Sequence, residues 1–96
     1  MSMEESIKLR RFYRTSPLDI SEIPDGYMVS DPKTGRVHYL NPVAAIIFEL
    51  CDERHAASEM AELLKREFAL DSIPEAQVAS CLDTLVSEGL VSPCLT

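Results

Sequence analysis

The sequence predicts an α+β domain in which three short strands come first and three helices follow. Two observations predict the strands: apolar and polar residues alternate over 18–23, and a strong hairpin signal lies at 31–35. A third predicts the helices, because apolar residues recur at helical spacing from residue 42 onward. Strands followed by helices place the helices on one face of an antiparallel sheet. We therefore expect a winged-helix-like arrangement, with a helix trio beside a small N-terminal sheet.

The three predicted strands lie between residues 18 and 40. Leu18–Ile23 alternates apolar and polar residues, and the PDG at 24–26 turns the chain into a second strand at Tyr27–Val29. The DPKTG at 31–35 predicts a hairpin loop, because Asp opens a turn, Pro presets φ and Gly adopts left-handed backbone. The third strand is Arg36–Leu40. Together these segments predict a three-stranded antiparallel meander.

The first helix follows the meander directly. Asn41 is a good N-cap and Pro42 a good first helical residue, and the helix should run to about Cys51. Apolar residues cover so much of its surface that we expect it at the centre of the core. A second helix is predicted over Ala57–Ala69, and its N-cap is left open between an alanine and Ser58.

The third helix carries signals at both of its ends. Ser72 and Glu75 have the capping-box spacing, and Val78 is the first of several apolar residues at helical spacing. Gly89 is expected as the left-handed residue that ends the helix, with Leu90 packing back on Leu85. We predict an extended segment after this point.

Length and charge suggest one acidic domain with a basic tail. The chain has 96 residues and a formal net charge of −7, yet residues 1–14 carry four basic and two acidic residues. We expect a flexible basic tail over 1–15, a single domain over 16–92 and a C-terminal tail over 93–96. Neither an apolar run of about 20 residues nor a secretion-signal pattern occurs, which predicts a cytoplasmic location without membrane contact.

Catalytic or metal-binding chemistry is not predicted. Cys51, Cys81 and Cys94 show no ligand spacing, and the first two are expected as small core residues. His38 falls in a strand and His55 in a polar connection, and neither is placed beside a nucleophile by the sequence. We expect no catalytic residues, no metal and no cofactor.

A winged-helix DNA-binding regulator is the main alternative function, because such a module presents its last helix to the major groove. Residues 72–89 contain three acidic residues and no Lys or Arg, so this helix cannot neutralise phosphate. Nucleic acid is therefore not an expected partner. A dimerising structural or adaptor domain is a further alternative.

The meander leaves edge strands, whose unpaired backbone groups can bind an added strand. Arg36–Leu40 is followed at once by the buried helix, so we expect it to be well anchored. If this strand lies at an edge, a peptide can pair with it. The other interpretation is that residues 1–15 or a second copy of the chain cover that edge.

Several stretches resemble one known family. These are GYMVS at 26–30, TGRVHYLN at 34–41, IIFELCD at 46–52 and LDTLVSEGLV at 82–91. In order and spacing they resemble the PqqD family over about residues 17–92. The chain departs from that pattern at Glu53, where many members have Gly, and at Ala56, where many have Thr.

The resemblance implies a precursor peptide recognition element: a module without catalysis of its own that captures the leader of a ribosomally made precursor. The implied partners are that peptide and a modifying enzyme, such as a radical SAM enzyme, a cyclase or a leader protease; a homodimer is left open. In the family the leader adds to the third strand and rests against the last helix. Carried onto this chain, the strand residues are Arg36, Val37, His38, Tyr39 and Leu40, and the helix residues are Val78, Ala79, Leu82, Asp83 and Val86. Val78 and Leu82 are equally expected as core residues.

Overall fold

The computed structural model describes residues 8–15 and 17–94, which form six β-strands and three α-helices. In chain order these are β1 (Arg11–Arg14), β2 (Asp19–Ile23), β3 (Gly26–Asp31), β4 (Arg36–Leu40), α1 (Pro42–Glu49), β5 (Asp52–Ala56), α2 (Ala57–Glu67), α3 (Glu75–Ser87) and β6 (Val91–Pro93). The predicted α+β class is confirmed, as are the meander and the three helices. Strands β1 and β5 were not predicted, and β6 lies where an extended segment was predicted after Gly89. The winged-helix-like arrangement stays a prediction.

The predicted meander is the sheet β2-β3-β4, with both pairs antiparallel. Its β3–β4 loop forms as the turn residues require. The Asp31 carboxylate accepts a hydrogen bond from the Lys33 N–H at 2.9 Å, and Gly35 adopts a φ of 73°. The loop sets Asp31 opposite Arg36 and thereby fixes the register of β4 on β3.

A second sheet has the order β5-β1-β6, so β1 is its central strand. The expected flexible tail over 1–15 was therefore wrong for Arg11–Arg14, while residues 1–7 lie outside the described residues. Phe12 gives the physical reason, because its side chain is only 6% exposed and anchors β1 to the core. At the other end β6 includes Pro93, so the domain extends past the predicted boundary at residue 92.

Helices α1 and α2 begin where the sequence placed them. The Asn41 side chain accepts a hydrogen bond from the Ala44 N–H at 2.8 Å, and Ile47 and Phe48 are fully buried, which confirms α1 as a core helix. The N-cap of α2, which the sequence left open between an alanine and Ser58, is Ala56. Its side chain makes no capping bond, but the Glu59 carboxylate accepts a hydrogen bond from the Ala56 N–H at 2.8 Å.

The predicted start of α3 was wrong and its end was right. The helix begins at Glu75 with Pro74 as N-cap, and Ser72 makes no capping box, because Pro74 adopts a non-helical ψ of 58° and the Glu75 N–H donates to the Ile73 carbonyl at 2.9 Å. At the other end Gly89 has a φ of 75°, and the Leu90 N–H donates to the Leu85 carbonyl at 3.0 Å. This Schellman-type ending directs the chain into β6.

One hydrophobic core joins both sheets to the helices. Its largest fully buried side chains are those of Phe48, Ile47, Met60, Leu64, Leu85, Leu90, Val29, Val78, Val91 and Cys51. Helix α1 contacts β3, α3 and α2, which places it at the centre of this core as predicted. Among the helices of the described residues, none has the length and apolar character needed to span a membrane.

Gly26 should tolerate no side chain, because a Cβ at this position would overlap the carbonyl oxygen of Leu40. Its φ of 137° is also one that L-residues rarely adopt. We expect Gly26→Ala to lower the free energy of unfolding by more than about 3 kcal/mol or to prevent folding. Gly35→Ala is the matched control, since its Cβ would meet nothing within 4 Å, and it should cost about 1–2 kcal/mol. Urea denaturation compares the two, and equal effects would contradict the close approach of β3 to the end of β4.

Replacing Glu53 with glycine should stabilise the fold, because Glu53 adopts a left-handed φ of 70° that favours glycine. Left-handed backbone costs an L-residue roughly 1–2 kcal/mol, part of which the flexibility of glycine in the unfolded chain offsets. We therefore expect Glu53→Gly to raise the free energy of unfolding by about 0.5–1 kcal/mol. Glu62→Gly, an exposed position inside α2, should lower it by about 1 kcal/mol. A destabilised Glu53→Gly protein in thermal denaturation would show that the Glu53 side chain has a stabilising role.

Candidate functional site

Strand β4 lies at one edge of its sheet. Its residues pair with β3 from Arg36 opposite Asp31 to Leu40 opposite Tyr27. On its other side no strand pairs with it within residues 8–15 and 17–94. In particular, the described part of the basic tail does not cover this edge, because β1 pairs with β5 and β6. Backbone N–H and C=O groups of β4 are therefore free for an added strand.

The two faces of β4 differ in exposure. Val37 and Tyr39 are 57% and 54% exposed and form the outer face, where the Tyr39 hydroxyl donates to the Asp25 carbonyl at 2.9 Å. His38 and Leu40 point the other way, and Leu40 is a core residue with 6% exposure. Of the five predicted strand residues, Leu40 thus anchors β4 and His38 is partly buried, while the other three are exposed.

The C-terminal end of α3 contacts β4 through Glu88. Its Oε2 atom lies 3.6 Å from Nη1 of Arg36 and 3.6 Å from Nδ1 of His38. The exposed Arg36–Glu88 pair contributes about 0–1 kcal/mol, so it orients these two side chains more than it stabilises the fold. The other ring nitrogen of His38, Nε2, is buried and has no hydrogen-bond partner in the described part of the chain.

The predicted helix residues divide between the core and the surface. Val78 and Leu82 are 0% and 2% exposed, which makes both core residues. Ala79, Asp83 and Val86 lie on the adjoining face of α3. Together with Leu82 they line a cavity of about 220 Å³, the helix pocket, whose other walls are Arg10, Phe12 and Pro93. Sequence reasoning missed these three walls, because Arg10 and Phe12 were assigned to the N-terminal tail and Pro93 to the C-terminal tail.

The β4 edge and the helix pocket lie on different sides of α3. No β4 residue lines the pocket. Glu88 follows Val86 by two residues, which corresponds to about 200° around the helix axis but only about 3 Å along it. The two surfaces therefore meet at the C-terminal end of α3, and four of the ten predicted residues share the helix pocket.

The described residues show neither a reactive buried thiol nor a cluster of metal ligands. Burial raises the pKa of Cys51 to about 12 and that of Cys81 to about 11, so both thiols stay protonated and unreactive at neutral pH. Burial works to raise the pKa of Asp52, but hydrogen bonds from Arg54 and His55 outweigh it and hold that pKa below its ordinary value. Among the described residues, no three His, Cys, Asp or Glu side chains are grouped to hold a metal ion.

The fold and this site define a small α+β domain with an open strand edge beside the end of its last helix. Residues 26–91, more than half of the chain, match the family model described as coenzyme PQQ synthesis protein D (PqqD). The chain belongs to the PqqD family. The match covers β3, β4 and all three helices, so it includes every predicted site residue.

A solved structure shares this fold. It is described as "Lasso peptide synthetase B1 complexed with the leader peptide", and the superposition has a TM-score of 0.70 at 20% sequence identity. The match covers 86% of this chain and 99% of that chain, so the likeness extends over nearly the whole of the smaller protein. No curated protein matches the sequence significantly.

Proposed function

We propose that this chain is a peptide-binding module that captures the leader of a ribosomally made precursor by strand addition to β4. It would then present the precursor to a modifying enzyme. The observation that carries the proposal is the unpaired edge of β4 in a PqqD-family domain. The structural neighbour supports it, because that protein of the same fold was solved with a leader peptide.

Strand addition accounts for a useful affinity without catalytic groups. A five-residue strand is about 17 Å long and offers four or five backbone hydrogen bonds, worth roughly 0.5–1.5 kcal/mol each. Two or three apolar leader side chains would add about 1.5–3 kcal/mol each on burial. Ordering the leader and losing its rigid-body freedom removes much of this gain. A net binding free energy of about −7 to −10 kcal/mol, near micromolar affinity or somewhat tighter, follows.

The helix pocket offers a second contact to a leader longer than β4. Because the pocket and β4 meet at the end of α3, a chain paired with β4 reaches the pocket by passing Glu88. Phe12 and Leu82 give the pocket an apolar floor, while Arg10 and Asp83 place opposite charges among its walls. In this proposal the strand edge supplies affinity and the pocket supplies selectivity for one leader side chain.

The chemistry in this proposal belongs to the partner. The buried thiols have raised pKa values, and the cation-free helix α3 gives no phosphate-binding surface. We therefore propose a module without catalysis, which serves a radical SAM enzyme, a cyclase or a leader protease. The class of that enzyme follows from the precursor and not from this chain.

Proline substitutions along β4 test strand addition. Successive residues of a strand point their N–H groups to opposite sides, so Val37 and Tyr39 share one direction and His38 has the other. Proline at the positions whose N–H points away from β3 should abolish leader binding with little loss of stability. Proline at the positions whose N–H points toward β3 should lower stability, because a hydrogen bond to β3 is lost. Synthetic leaders from short open reading frames beside the gene are titrated by calorimetry, and each variant is also melted.

The size of the free protein is the control for these variants, because a second copy could pair with the same edge. Light scattering that reports a dimer only when β4 is intact would favour a dimerising domain over peptide capture. Unchanged leader affinity in all three proline variants would show that the leader binds elsewhere.

A matched pair of aspartate substitutions tests the helix pocket. Val86→Asp places a charge in the pocket and should weaken leader binding tenfold or more, while stability changes little because Val86 is 38% exposed. Thr84→Asp adds the same charge to the same helix outside the pocket, and we expect less than a twofold change. A larger effect of Thr84→Asp than of Val86→Asp in calorimetry would exclude the pocket as a leader contact.

A further inference from the structure

A larger cavity lies away from both proposed leader contacts. It has a volume of about 620 Å³ and opens between α1 and the turn that joins β2 to β3. We call it the α1 groove; its walls are Glu22, Ile23, Pro24, Gly26, Tyr27, Pro42, Ala45, Ile46, Glu49 and Leu50. No β4 residue is among them, and β3 separates β2 from β4. An occupant of this groove therefore leaves the β4 edge free.

The chemistry of the α1 groove is apolar with an acidic rim. Most of its walls are aliphatic or proline side chains, and its charged residues are Glu22 and Glu49. Tyr27 lies opposite Glu22 in the β2–β3 register, and its hydroxyl donates to Oε1 of Glu49 at 2.8 Å. The hydrogen bond to Glu49 also raises the pKa of Tyr27 above its ordinary value.

The two carboxylates differ in their partners. Arg14 contacts Oε2 of Glu49 at 3.3 Å and is not a wall residue of the groove. Within the described ranges, no Lys, Arg or His nitrogen lies within 4 Å of the Glu22 carboxylate. Glu22 is therefore a rim carboxylate without a cation among the described residues, and above an apolar floor it complements a side chain with an alkyl stem and a cationic head.

We propose that the α1 groove is the docking site for the modifying enzyme, which inserts an Arg or Lys beside an apolar residue. The assignment rests on the proposed function, because a presenting module must hold leader and enzyme at the same time. The leader is the less suitable occupant, since its strand lies on the far side of β3. The N-terminal segment 1–7 of this chain is also unsuitable, because it contains no Lys or Arg.

A dipeptide titration tests the groove independently of leader binding. Nα-acetyl-Leu-Arg-amide is added to the 15N-labelled full chain, with Nα-acetyl-Leu-citrulline-amide as its neutral isostere. We expect saturable millimolar binding with shifts at the amides of Tyr27, Ile46 and Glu49, and at least fivefold weaker binding of the citrulline peptide. Glu22→Gln should remove most of this difference, whereas Glu62→Gln on α2 should leave it intact. Equal binding of both peptides, or shifts elsewhere, would overturn the site.

Two further titrations identify the occupant. With a leader bound at β4, the arginine peptide should bind with unchanged affinity; its displacement by the leader would overturn the enzyme as occupant. With the modifying enzyme encoded beside the gene, Glu22→Gln should raise the concentration of module needed for half-maximal modification at least fivefold while leader affinity stays constant. An unchanged requirement would also overturn enzyme docking. If the arginine peptide binds the groove but no leader causes shifts at the β4 amides, the α1 groove is a binding site and the proposed leader-binding function is wrong.

Discussion

The one-sided pairing of β4 is the constraint on which this account depends. A strand that receives a guest must be held straight on one side and left unpaired on the other. Strand β3 supplies the first condition through five paired residues, and the buried Leu40 fixes the end of β4. The missing side chain of Gly26 lets β3 approach the Leu40 carbonyl closely. Among the described residues no strand pairs with the other side of β4, so this edge is held in place by β3 and is open to an added strand.

The N-terminal segment that contains β1 contacts the helices of the domain and holds the end of α3. Besides its pairing in the second sheet, the segment that contains β1 fixes the end of α3, because the Thr15 hydroxyl donates to the Gly89 carbonyl at 2.8 Å. Its cations also pair with the acidic body: Lys8 lies 3.5 Å from Glu75 and Arg14 lies 3.3 Å from Glu49. Arg14 further lies 5.8 Å from the centre of the Phe48 ring, within the range of a cation–π contact. The basic segment thus has a structural use within the molecule.

Local signals predicted the parts of this fold that local interactions form. The DPKTG loop, the Asn41 cap and the Gly89 ending depend on a few neighbouring residues, and the structure confirms all three. The second sheet joins segments from the two ends and the middle of the chain, and its strands are short and largely polar, so no periodicity signals it. Ser72 shows the opposite error, because a capping spacing formed no cap.

The same distinction explains the candidate site. Strand β4 was predicted from its hairpin, and helical spacing placed Ala79, Asp83 and Val86 on one face. Which strands pack beside that face depends on tertiary contacts that the local sequence does not indicate. Residues of β1 and β6 line the pocket there, and no β4 residue does. The resemblance to the PqqD family named β4 and α3 as binding elements, and residues 26–91 confirm the family, but neither could show which strands line the helix pocket.

Amide hydrogen exchange along β4 tests the central claim most directly. In the free protein, the N–H groups of β4 that point away from β3 should exchange quickly, while the alternate ones are protected. A leader from the neighbouring reading frames should slow the fast set at least tenfold in saturating amounts, without changing the pattern of β2. Protection that leaves those β4 amides unchanged and appears only around the helix pocket or β6 would contradict strand addition.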